Sequence, residues 1–343
     1  MNTLIKFFSC FLFILFSFHL EARGSEIDAT LGQLLTKTGI VSNQKIKIPG
    51  YPNAYNPSLI PYKGGYLLSF RFISRYPEMA KNKFRADASF VGLARLDRNF
   101  KVSEKTVQLL NIVSYSSKFS LSAEDARLLS VGSRIFIFFN DLPSQSLGGF
   151  AMYFGELVEE RGRFVLKEPA KLLDYPYAIQ VEKNWSPFFS EDRLYVIYSD
   201  QPRIVLEVDV ETGYCREVTR SFVNWNWNLG EIRGGTPAYL TNDSFLTFFH
   251  SSFPAKTSKG RAYVMGAYTF DKESPFSIRT MTPRPLGELT DYTQDNSPKI
   301  VFPGGVVIQG NSIHVAWGKG DKQIFITTFD KEKLLASMEP CSE

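Results

Sequence analysis

The sequence predicts an all-β fold, a five-bladed β-propeller, on three observations. A recurring unit starts at Asn56, Asp125, Asn184, Gly235 and Pro303. In each unit a short apolar stretch leads through a polar turn to a second apolar run, such as Tyr66-Leu-Leu or Leu194-Tyr-Val-Ile-Tyr, which is the pattern of a β-hairpin. A further apolar strand follows the hairpins. Composition points the same way: 30 Phe, 16 Tyr and 4 Trp in 343 residues favour strands, and 44% hydrophobic residues supply a core and exclude wholesale disorder.

The units read in order along the chain. Asn56–Arg71 is followed by a strand at Ser89–Leu96, Asp125–Asn140 by Phe150–Leu157, and Asn184–Ser199 by Ile204–Val210. Gly235–His250 precedes Ala262–Phe270, and Pro303–Gly318 precedes Gln323–Phe329. Successive starts lie 51 to 69 residues apart, a length that fits three or four strands and so one blade. Five blades account for residues 51–330, with the innermost strand of each facing a narrow axial cavity. Residues 25–50 and 331–343 are then terminal extensions that pack on the ring or close it.

Residues 1–24 read as a signal peptide. Lys6 precedes the apolar stretch Phe7–Leu20, which is shorter than the roughly 20 residues that span a bilayer, and polar residues Glu21 to Gly24 follow. The expectation is a secreted or periplasmic chain with no stable membrane anchor once the signal is cleaved. Cys10 falls in the leader, which leaves Cys215 and Cys341 either paired or free. With 39 Lys and Arg against 35 Asp and Glu, and no basic run, a nucleic-acid partner is excluded. The chain shows no phosphate-cradling glycine loop, no cysteine spacing for zinc and no Gly-x-Ser-x-Gly elbow, so no metal or organic cofactor is expected. The oligomeric state is open.

Because the units superimpose, their differences carry the functional signal. Of the five first positions, only Asp125 is an ionisable acid. The five last positions are Arg71, Asn140, Ser199, His250 and Gly318, so polar groups converge on one mouth of the ring, where a ligand would sit. The run Glu124-Asp125-Ala126-Arg127 resembles the Glu-Asp-Pro-Arg signature of glycoside hydrolase family 130, the β-mannoside phosphorylases and hydrolases. Asn56-Pro57, Lys183-Asn184, Gly235-Thr-Pro237, Phe249-His250, Tyr263-Val-Met-Gly266-Ala267, Val301-Phe-Pro303-Gly304-Gly305 and Trp317-Gly318-Lys319-Gly320-Asp321 are similar to further family segments in the same order. Ala126 stands where the family signature has Pro, and a basic insert (Lys81, Lys83, Arg85) follows Phe72.

The resemblance implies inverting cleavage of β-linked mannosides or related oligosaccharides, with Asp125 as general acid acting through the sugar's 3-hydroxyl. It implies inorganic phosphate as co-substrate in a phosphorylase, and a second carboxylate, for which Asp321 or Glu231 is a candidate, in a hydrolase. It assigns substrate or phosphate binding to Asn56, Arg71, Arg127, Lys183, Asn184, His250 and Asp321, the cations serving an anionic nucleophile. Each residue also has a structural reading. Asp125 and Asp321 can hold turns, Arg127 can pair with Glu124 or Asp125, His250 can be an ordinary hydrogen-bonding group, and Trp185, Trp225 and Trp227 can be inter-blade core rather than sugar platforms. Release of a sugar phosphate outside the cell is hard to recover, which favours, over a phosphorylase, a hydrolase, a transferase working in reverse or, as the alternative from another class, a non-catalytic glycan-binding propeller.

Overall fold

The computed structural model of the chain describes residues 32–75, 87–115, 121–141, 150–254, 261–292 and 300–341. The leader and the basic insert lie outside these residues. Five antiparallel sheets follow one another around a ring. The first blade pairs Tyr55–Tyr62, Gly65–Arg75, Asp87–Leu96 and Gln108–Leu109 in that order. The second runs Ala123–Val131, Arg134–Asp141, Ala151–Glu160 and Lys171–Leu172, with Arg163–Leu166 also on Ala151–Glu160. The third holds Ser186–Ser190, Arg193–Asp200, Arg203–Val208 and Cys215–Ser221.

The fourth blade departs from the simple hairpin. Its innermost strand is interrupted: Glu231–Gly234 and Tyr239–Leu240 both pair with Ser244–Pro254, which continues to Arg261–Asp271 and Ile278–Met281. Pro237 lies in the gap and has no N–H to give a ladder. The fifth blade runs Val301–Gln309, Ser312–Lys319 and Gln323–Asp330 and is completed by Ile40–Ile46, from the other end of the chain. Glu339–Pro340 likewise adds an outer strand to the fourth blade, so sheet pairing reaches beyond 51–330 at both ends.

Why these sequences make blades is visible in Ile135-Phe-Ile-Phe-Phe139, where every residue is apolar. Successive strand side chains point to opposite faces, and a blade is covered on both. Ile135, Ile137 and Phe139 accordingly enter the cluster shared with the first blade, while Phe136 and Phe138 enter the one shared with the third. Among the described residues five such clusters exist, one at each blade interface. Near the axis the first strands approach so closely that side chains do not fit: a Cβ on Gly305 would lie 2.2 Å from the Leu59 nitrogen.

Antiparallel order also fixes what lies on each face of the ring. The start of every first strand, the end of every second strand and the connections between blades all fall on the same face. That face carries the convergent polar residues.

Candidate functional site at the axial mouth

Asn56, Asp125 and Asn184 share a conformation as well as a position, with φ of 44°, 51° and 64°. Asn and Asp tolerate this left-handed region better than other side-chain-bearing residues. In the first two blades the position coincides with a break in register, between Tyr55 and Ser58 and between Glu124 and Arg127. A bulge of this kind takes the extra residue out of the ladder and re-aims its side chain.

Asp125 is held from two sides. Asn56 Nδ2 donates to its Oδ1 at 2.8 Å, and Arg71 Nη1 donates to the same oxygen at 3.1 Å. Arg71 also donates through Nη2 to Glu124 Oε1 at 2.5 Å and through Nε to Ser89 Oγ at 2.9 Å, and its guanidinium lies 5.3 Å from the Tyr55 ring centroid. Glu124 gathers two more donors on Oε2, Asn140 Nδ2 at 3.1 Å and Lys183 Nζ at 3.2 Å. The side chains of Asp125 and Arg71 remain 12% and 14% exposed and that of Lys183 30%, so solvent reaches the cluster.

Electrostatics separates the two aspartates. Burial acts to raise the Asp125 carboxyl, but Arg71, the Asn56 amide and Arg127 outweigh it and hold the group below the usual carboxylate range. Asp321 sits in the turn that follows the second strand of the fifth blade, with φ of 53°. The protein crowded around it, and then the negative Asp125, push its carboxyl up to about 6, against which Arg71 and a hydrogen bond from Asn56 act. Asn56 thus serves both carboxyls, one ionised and one that keeps its proton into the weakly acidic range.

The chain has the fold of the mannoside phosphorylases. A β-1,2-mannobiose phosphorylase from Listeria innocua superimposes with a TM-score of 0.59 at 16% identity, covering 88% of this chain and 94% of that one. A mannose phosphorylase from Leishmania mexicana, solved with a phosphate ion, gives 0.60 at 15% identity over 95% and 96% of the two chains. A structure described under the glycoside hydrolase family 130 enzymes that target β-1,2 mannosidic linkages in Candida mannan gives 0.58 at 12% identity over 82% and 85%. No protein-family model and no curated protein matches the sequence.

Asn56, Arg71, Asp125, Lys183 and Asp321 therefore converge, and three other expected residues are placed differently. Arg127 is fully buried and bonded to backbone and amide oxygens: Gly235 O at 2.6 Å, Asp125 O at 3.0 Å, Gly234 O at 3.2 Å and Asn184 Oδ1 at 3.3 Å. It ties the second blade to the third and fourth and presents no free donor face to a ligand. Asn184 spends its side-chain oxygen on this tie. His250 is buried, and burial followed by the charges of Arg127 and Arg233 lowers its pKa to about 3, so it is a neutral imidazole and not a cation for an anion.

Glu231 is exposed and paired with Arg233 at 2.8 Å. Trp185 and Trp225 are core residues, with indole N–H groups bonded to Glu182 Oε2 and Asp200 O, and half-buried Trp227 packs edge-on against Phe249. Cys215 and Cys341 are both free. Among the described residues no cluster of His, Cys, Asp and Glu could hold a metal ion, and no helix is long and apolar enough to cross a membrane. Sequence reasoning took Glu124 only as part of a signature. It is the hub that joins Arg71, Asn140 and Lys183, and the signal for it was Asn140 in the row of strand-end polar residues.

Proposed function

We propose that the chain is a carbohydrate-active enzyme that cleaves β-linked mannosides or related oligosaccharides with inversion, using Asp125 at the leaving sugar oxygen, and that it works outside the cytosol. The observation that carries the reading is a carboxyl pair at one mouth of the ring, with Asn56 beside both and the two members driven to opposite protonation. Pairs of titratable groups pushed apart in this way are the pattern of acid–base catalysis. The names of the structurally similar proteins support the substrate class.

Asp125 is ionised in the free site, so the proton for the leaving oxygen has to be held by the pair as a whole. Asp321 retains it up to about pH 6, and a sugar that displaces water around Asp125 weakens its ionised form. Cleavage should accordingly be favoured on the acid side of neutrality. The nucleophile follows from the charge inventory. Of the four cations expected to greet phosphate, Arg127 is consumed by carbonyl oxygens and His250 is neutral, while Arg71 and Lys183 are already paired with Glu124. A mouth so balanced favours water over a dianion, and hydrolysis over phosphorolysis. The pair gives its proton to the leaving oxygen and the attacking water's proton passes back through solvent to the carboxylate so freed, with Asn56, Arg71, Lys183 and Asp321 positioning the sugar.

The test is product analysis of β-linked mannobiose and a wider β-glycan panel, with and without inorganic phosphate. Free monosaccharide in phosphate-free buffer is the expected result. Sugar phosphate formed only when phosphate is present would transfer the nucleophile's role to phosphate. Binding without turnover of any glycan would leave the non-catalytic propeller as the function.

A further inference from the structure

The connection from the second blade to the third crosses the face of the ring that carries the acidic pair, and it ends at Lys183 and Asn184 in the candidate site. Its crest is apolar and bare: Tyr177 is 74% exposed, with Ile179 and Val181 also exposed beside it. A contiguous exposed apolar patch marks an interaction site. This one is not loose. Asp174 N donates to Gly213 O at 2.9 Å and Cys215 N to Asp174 O at 2.8 Å, which fastens one end to the third blade. Phe150 N donates to Gln180 O at 2.9 Å and Glu182 N to Phe150 O at 3.0 Å, which fastens the other to the second.

Buried Glu182 locks the turn from beneath. Its Oε1 accepts from Ile179 N at 2.5 Å and Tyr198 OH at 2.9 Å, and its Oε2 from Trp185 Nε1 at 3.0 Å. Behind Tyr177 stands a ladder of rings that begins next to the site. Trp185 meets Tyr198 at 5.0 Å between centroids, Tyr198 meets Tyr175 at 5.0 Å, and Tyr175 meets Tyr177 at 5.6 Å, each edge to face. The Tyr175 hydroxyl is pinned to Glu217 Oε2 at 2.6 Å. An exposed ring braced in this way is set in orientation before any ligand arrives, which lowers the entropy lost on binding.

We propose that Tyr177 is a sugar-stacking residue for a unit beyond the cleaved linkage, so that the protein selects oligosaccharides longer than a disaccharide. The inference rests on the reading of the mouth as a glycan site and deepens it. A carbohydrate fits this surface because the apolar face of a pyranose matches a tyrosine ring, and the connection that carries the ring ends at Lys183 in the polar mouth.

Titration calorimetry with β-linked mannobiose and mannotetraose tests it on the full chain, the Tyr177→Ala variant and the Tyr177→Phe variant. The exposed position leaves the fold unaffected by either change. The expected result is tighter binding of the tetraose than of the biose by the unaltered chain. Tyr177→Ala should cost about tenfold in tetraose affinity with biose affinity unchanged, and Tyr177→Phe should keep both. Equal loss on both sugars, or no loss on either, overturns the stacking role and leaves the site intact. Failure of the unaltered chain to bind either sugar overturns the glycan reading of the mouth and the stacking role with it.

Discussion

Two aspartate–arginine pairs in the same ring have opposite fates. Asp125 and Arg71 stand at the axial mouth, partly exposed, with Asn56 as a second donor. Asp200 and Arg203 lie sealed between the third and fourth blades at 2.8 Å, with side chains 1% and 0% exposed. The sealed pair also binds the Tyr268 hydroxyl, which lies 2.8 Å from Asp200 Oδ1 and 2.9 Å from Arg203 Nη1, and the guanidinium lies over the Phe270 ring. Yet burial outweighs Arg203 and raises the Asp200 carboxyl, whereas Arg71, Asn56 and Arg127 together outweigh burial and lower that of Asp125. Asp200 Oδ2 and the Nε and Nη2 of Arg203 meet no hydrogen-bond partner among the described residues. One cation and a tyrosine hydroxyl therefore do not offset burial at Asp200, while two cations and an amide do at Asp125. The sealed pair lies in the join between blades, and the open pair lies where solvent reaches it.

The largest effect that would break this contrast is on the sealed pair. Arg203→Met leaves Asp200 buried without its cation and should cost about 3–5 kcal/mol of stability in denaturant unfolding. A loss within experimental error would mean that the pair is not what joins the blades. A smaller effect sharpens the open side. Lys183→Ala removes one of three donors from Glu124 and should raise KM for the glycan roughly tenfold with kcat within about threefold; a fall in kcat at constant KM would instead make Lys183 part of the reacting centre.

The smallest effect is on pH dependence. The Asp321 carboxyl titrates at about 6 in the folded chain against an ordinary 3.8, so the folded state binds more proton between those values. Wild-type stability should fall as pH rises through that window and stay level above it with respect to this group. Asp321→Asn should remove that fall, so its Tm should gain on the wild type from pH 4 to pH 6. Parallel Tm curves would show that burial and the nearby Asp125 do not raise the Asp321 carboxyl.

The blades were legible because a strand covered on both faces reads as an unbroken apolar run, and five such runs followed five similar hairpins. The interrupted innermost strand of the fourth blade was not, since Gly235-Thr-Pro237 reads as a hairpin start when only apolar pattern is weighed. Nor was the pairing of Ile40–Ile46 with Gln323–Asp330, a contact between chain ends that no local pattern encodes. In the site, Asp125 stood out as the one acid among five equivalent positions. Arg127 is ambiguous in the sequence because its type suits an anion as well as a set of carbonyl oxygens. Only the approach of the second blade to Gly234 and Gly235 of the fourth decides between them. His250 is ambiguous for a related reason: its charge depends on burial, which the sequence around it does not state.

The most direct test of the contrast measures turnover and unfolding together for one change in each pair. Asn already occupies the left-handed position equivalent to Asp125 in the first and third blades, so Asp125→Asn should fold as the wild type does. Asp125→Asn should lose about 10²- to 10⁴-fold in turnover of a natural β-linked oligosaccharide, with a stability loss well below that of Arg203→Met because Glu124 still pairs Arg71. Arg203→Met should do the reverse, losing stability while its folded fraction turns over at the wild-type rate. Near-normal turnover by Asp125→Asn, or a loss of stability as large as that of Arg203→Met, would contradict the assignment of the open pair to catalysis.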